Sequence, residues 1–99
     1  MTSLAIEIDV LSILDVVVTE DSLTVKLNDG RTLTTPLAWF PRLQNATGPE
    51  RLDFRLTGAG HGIHWPRLDE DVSLAALIAG RPSSESAASL QAWLRTRTP

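Results

Sequence analysis

Two imidazoles and three carboxylates fall within the eleven residues from His61 to Asp71, as His61-Gly62-Ile63-His64-Trp65-Pro66 and then Asp69-Glu70-Asp71. In a chain without cysteine, imidazole and carboxylate are the ligands left for a divalent metal, and a carboxylate beside such a metal serves as base. The spacing works against this chemistry. In an extended segment, residues three apart point to opposite faces, so His61 and His64 diverge unless the glycines bend the chain. The acids also have a structural duty. Ahead of the helical pattern that begins near Leu74, Asp69 can cap orphan amides, and all three charges complement a helix dipole. His61 and His64 are then expected as a hydrogen-bonded pair of surface or semi-buried side chains.

Other chemistries have weaker support. Gly58-Ala59-Gly60-His61-Gly62 faintly resembles a phosphate-cradling loop, but such loops lead into a helix N-terminus, and here a strand pattern and Pro66 follow. The chain lacks a Gly-x-Ser-x-Gly turn and a P-loop lysine, its one lysine being Lys26 in a strand pattern. Without cysteine there is no thiolate and no disulfide framework. No cofactor and no catalytic residue is expected.

The elements that position these residues can be read from periodicity. The 99 residues make one domain, 1–99. Leu4, Ile6, Ile8 and Val10 alternate with polar positions, so residues 1–12 are expected to form a strand or a loose arm. Ile13 to Thr19, then Leu23-x-Val25-x-Leu27, then Arg31 to Thr35 predict a three-stranded meander, with Asp29-Gly30 as a two-residue turn. Thr35 and Pro36 can start a helix, with Leu37, Trp39, Phe40, Leu43 and Ala46 on its apolar face and Pro41 either kinking it or breaking it into two short helices. Thr47 and Glu50 fit a capping box for a short helix over about 48–52. Phe54 to Thr57 and Ile63 to Trp65 read as strands joined by a glycine turn. Leu74, Leu77 and Ile78 mark a helix that Gly80 stops, and Ser83 or Ser84 can cap a last helix over 83–97. The expected fold class is α+β: a small antiparallel sheet, the meander plus one or two further strands, packed by three to four short helices.

Trp39, Phe40, Trp65 and Trp93 are expected in the core of so small a domain. The alternative is that Trp39-Phe40-Pro41-Arg42 leaves a ring exposed beside a guanidinium, the composition of an interface hot spot. Twelve acids against nine cations give a net charge of -3, and the arginines are scattered, so no nucleic-acid footprint is expected. No apolar stretch approaches the ~20 residues that cross a bilayer, and a cytoplasmic protein is expected.

Asp29-Gly30-Arg31, Pro36-Leu37-Ala38-Trp39-Phe40-Pro41-Arg42-Leu43, Ala46-Thr47, Gly60-x-Gly62-Ile63-His64-Trp65-Pro66 and Leu68-Asp69-Glu70-Asp71-Val72-Ser73 together resemble a bacterial family, the domain of unknown function 2442. The resemblance spans about residues 14–80. It implies a small α+β domain, often encoded beside a protein of the domain of unknown function 4160, an arrangement suggesting a toxin and its antitoxin. Some relatives carry a helix-turn-helix domain after this one; with nineteen residues after Gly80, one helix and no such domain is expected here. The resemblance, the acidic surface and the edge-strand candidate lead to the expectation of a non-enzymatic, protein-binding module. It would act as an antitoxin-like or regulatory partner of a small neighbour-encoded protein, masking that partner's working surface. The interaction candidates are Trp39, Phe40, Arg42, His61, His64, Trp65, Asp69, Glu70 and Asp71. Two alternatives stand beside this: a metal-assisted enzyme or metal-binding protein centred on His61, His64 and Asp69 to Asp71, and a structural homo-oligomer, such as a homodimer, paired through residues 4–10.

Overall fold

The computed structural model describes residues 10–97. The expected arm over 1–12 lies outside them except for its last residues. These are held by Asn28, whose side chain donates to the Val10 carbonyl at 2.9 Å and accepts from the Ser12 N–H at 3.0 Å.

The meander forms as its alternation requires. Strands β1 (Ile13–Val18), β2 (Ser22–Leu27) and β3 (Thr32–Pro36) pair antiparallel in the order β1-β2-β3. Leu23, Val25 and Leu27 are buried on one face, while Thr24 and Thr34 meet across the other through their hydroxyls at 3.0 Å. A register shift between Ile13 and Asp15 bulges β1 and leaves Leu14 exposed. The β2–β3 turn has three residues rather than the expected two. Leu27 N–H donates to the Arg31 carbonyl at 2.9 Å and Gly30 N–H returns to Leu27 at 3.1 Å, with only Gly30 at positive φ. Asp29 is not in the left-handed region. Its carboxylate instead accepts from Arg31 N–H and pairs with the Arg31 guanidinium.

Past β3 the prolines decide the path. Pro36 ends the strand, Leu37–Trp39 make a single 3-10 turn, and Pro41 opens helix α1 (Pro41–Gln44). The break at Pro41 is as expected, but Thr35 is no cap: it is buried within β3. Helix α2 (Gly48–Leu52) has the full capping box, with Glu50 N–H on Thr47 Oγ1 and Thr47 N–H on Glu50 Oε1.

A second antiparallel sheet follows, in the order β4 (Arg55–Thr57), β5 (Gly62–Trp65), β6 (Glu70–Ser73). The expected one or two extra strands are therefore three, in a sheet of their own. Gly60 sits where this sheet's first connection crosses the start of β1. Its φ is +88, and an added Cβ would lie 2.9 Å from Ser12 Cβ and 3.1 Å from the Ile13 carbonyl, so only glycine fits.

The main correction concerns Asp69 to Asp71. They are not a helical first turn. Pro66 to Leu68 and Asp69 make a tight turn, Asp69 takes φ 50, and Glu70 and Asp71 enter β6 opposite Trp65 and His64. Helix α3 (Leu74–Ala79) is capped instead by Ser73, whose hydroxyl accepts from Ala76 N–H at 3.0 Å, and Gly80 in the left-handed region ends it. The acids preceding a helix hid a period of two, Glu70 and Val72 inward, Asp71 and Ser73 outward. The cap of the last helix, α4 (Ala87–Thr96), is Ser86 rather than Ser83 or Ser84. Both of those serines lie in the irregular run before it, where Ser83 N–H donates to the Trp39 carbonyl at 3.0 Å.

One core joins both sheets and the helices, with Leu37, Leu43, Ile63, Trp65 and Leu68 fully enclosed. Phe54 leans on Trp65 with ring centroids 6.1 Å apart. Of the four aromatics expected inside, Phe40 and Trp65 are buried, Trp93 is partly so, and Trp39 is 36% exposed.

Candidate functional site

A cleft of about 290 Å³ runs along β6, walled by Phe40, by Ala76 of α3 and by residues 81–84. Three of the expected interaction residues, Phe40, Glu70 and Asp71, meet here, and the chain at Trp39 borders it through the Ser83 hydrogen bond. Arg81, Pro82, Ser83 and Ser84 were not foreseen as site residues. A break between two helical patterns reads as a connector. The signal in it was Pro82, which disfavours a helical Arg81 and carries no N–H of its own.

Glu70 is the unusual group. Its Oε1 accepts from Asp71 N–H at 3.1 Å, while Oε2 is buried with no hydrogen-bond partner, alone in this among the side-chain atoms of the described residues. Burial pushes its carboxyl above the ordinary range; the charges of Glu85 and Asp71 act in the same direction, against the Asp71 N–H and Arg42. A raised folded-state pKa means that the charged form costs stability once the pH exceeds that pKa, and that the cost vanishes below the unfolded value. Glu70→Gln is therefore expected to stabilise the domain at pH 7 by about 1 kcal/mol and to change it little near pH 3. Urea unfolding at the two pH values measures this; a variant less stable at pH 7 would contradict it.

Asp71 turns to the other face of the sheet, where its Oδ1 meets His64 Nδ1 at 2.9 Å with the Asp71 side chain 73% exposed. His61 precedes β5, is exposed and does not bond to His64, so the expected pairing of histidines is replaced by a cross-strand His64–Asp71 pair. Asp69 in its turn, inward Glu70 and outward Asp71 diverge. Among the described residues no three His, Asp or Glu side chains are grouped to hold a metal ion.

Arg42 and Trp65 serve the fold. Trp65 is fully buried and its indole N–H donates to the Arg51 carbonyl at 3.1 Å. Arg42 lies mostly buried beneath α4. Its Nε and Nη2 grip Glu85 at 2.7–3.0 Å, Nη1 donates to the Leu68 carbonyl at 2.9 Å, and its guanidinium stacks 5.2 Å from the Trp93 ring centroid. Arg97 approaches the same ring at 4.6 Å and grips Glu50 at 2.7 and 2.9 Å. The Arg97 contact, helped by Thr47, holds the Glu50 carboxyl down at about 2, and Arg42 lowers that of Glu85. Helix α4, which buries no residue, is thus fastened by one indole between two ion-paired guanidinia. This clasp was illegible in the sequence because its members lie 43 and 47 residues apart.

No helix among the described residues is long and apolar enough to cross a membrane. No curated protein matches the chain. Two solved structures are similar to it. A protein of unknown function from Rhodospirillum rubrum is 26% identical with a TM-score of 0.64, over 81% of this chain and 96% of that one. An uncharacterised protein of Chromobacterium violaceum shares the fold at 22% identity and a TM-score of 0.66, over 94% of this chain and 82% of that one. The family described as "Protein of unknown function (DUF2442)" matches residues 13–83, from the first strand to the strap that walls the cleft, and the chain belongs to that family.

Proposed function

We propose that the chain is a protein-binding module, an antitoxin-like or regulatory partner of a small protein encoded nearby, and that it engages this partner at the cleft beside β6. The carrying observation is the buried, unpartnered carboxylate oxygen of Glu70 against that cleft. A group that costs stability in the free protein fits a site kept for another purpose. Two features support the same surface: Trp39 is one-third exposed at the border, and the exposed Arg81 side chain makes no ion pair or hydrogen bond among the described residues. An aromatic ring and a free guanidinium beside a concavity are the groups that dominate interface energetics. Binding would mask the partner sterically, without chemistry.

Co-expression with the adjacent gene product and recovery of a complex test this. Trp39→Ala and Arg81→Glu are each expected to weaken the complex by about tenfold or more while the variants stay folded. Failure of the wild-type chain to co-purify, or retention of full affinity by both variants, would overturn the reading.

A further inference from the structure

The open edge of β6 shows how a partner would be held. Leu74 N–H donates to the His61 carbonyl at 2.8 Å. In the unbroken β5–β6 register this makes Ile63↔Val72 and Trp65↔Glu70 the hydrogen-bonded pairs. The main-chain groups of Asp71 and Ser73 therefore face away from β5, and both residues line the cleft. Asp71 N–H is already taken by Glu70 Oε1, and the Ser73 carbonyl, as the cap of α3, accepts that helix's first bond. One acceptor and one donor remain on this edge, the Asp71 carbonyl and the Ser73 N–H.

We infer that the cleft receives an extended segment of the partner protein, added parallel to β6. In parallel pairing a single residue spans both free groups: its N–H donates to the carbonyl of Asp71, and its carbonyl accepts from the N–H of Ser73. Antiparallel addition would need the Asp71 N–H that Glu70 occupies. Paired residues share a face, so the side chain of the residue opposite Val72 enters the cleft toward Phe40 and Ala76 and is apolar. The residue before it lies beside Asp71 on the outer face and is basic, Lys or Arg. A cleft of about 290 Å³ suits a short stretch of chain rather than a folded surface. The inference rests on the protein-binding reading and specifies the partner's docking element.

The test uses the whole protein and an eight-residue peptide, blocked at both ends, with Thr-Lys-Val-Thr at its centre, followed by amide NMR. The expected result is saturable shifts at Asp71, Val72, Ser73, Ser83 and Ser84, and binding at least about tenfold weaker when the valine nitrogen is methylated. N-methylation removes the one donor aimed at Asp71 and leaves the protein unaltered. Absence of shifts at ~10 mM peptide, or equal binding by the methylated peptide, would overturn parallel edge pairing. If the adjacent gene product still co-purifies in that case, the fault lies with the docking element and not with the module.

Discussion

Trp65→Ala is expected to leave the domain largely unfolded at physiological temperature. Trp65 has no exposed surface, it touches the tilted ring of Phe54, and it joins the second sheet to helix α2 through the Arg51 carbonyl. Truncating a buried tryptophan to alanine costs about 3–5 kcal/mol in transfer and cavity terms, and the orphaned carbonyl adds about 1 kcal/mol. Against a total of roughly 5–15 kcal/mol for a domain of this size, that is most of the stability. Trp65→Phe keeps the ring's bulk and loses only part of the volume and the indole N–H, so it should cost about half as much and still fold. Circular dichroism melts of the two variants separate these outcomes; a Trp65→Ala protein melting within about 5 °C of wild type would contradict the placement of this ring.

Arg42→Ala is expected to cost about 3–5 kcal/mol, the range for breaking a largely desolvated ion pair by removing one partner. Glu85, whose side chain is only 9% exposed, would keep its charge and lose its counterion. The Leu68 carbonyl would lose its donor, and Trp93 one of its two cationic faces. Because α4 has little else to hold it, the loss should show locally as well as globally, with residues 84–97 becoming the first site of protease attack. Adding Glu85→Ala should recover about 1–2 kcal/mol, since the second change removes the stranded carboxylate. Arg42→Lys should restore the charge without the planar fork and recover only part of the loss. A double variant as unstable as the sum of the two single variants would show that the pair is not coupled.

The meander, the break at Pro41, the Thr47–Glu50 capping box and the glycine stop at Gly80 were legible because each is a local rule written in neighbouring residues. Asp69 to Asp71 misled for the same reason. Acids three residues before a helical pattern satisfy a local capping rule, yet the pairing of Glu70 with Trp65 and of Asp71 with His64 is a tertiary fact, and it moved the cap to Ser73. The shift mattered for the site. As a helical turn the three acids would share one charged end; as a strand they alternate, sending Glu70 inward to the cleft and Asp71 outward to His64. Arg42 shows the other limit. Its neighbours Trp39 and Phe40 suggested an interface; its partners Glu85 and Trp93 come from helix α4 and the run leading into it, outside the five sequence blocks that carry the family resemblance. The strap from Arg81 to Ser84 was invisible as a wall because nothing in its own residues says what lies opposite.

A partner that covers β6 and its cleft must change the solvent access of their amides. Amide hydrogen exchange of the chain, alone and mixed with the adjacent gene product, tests it residue by residue. New protection is expected at Ser73 and across Ser83 and Ser84, with the outer face of the β1–β3 sheet exchanging as before. Protection confined to that outer face, or no change on mixing, would contradict it.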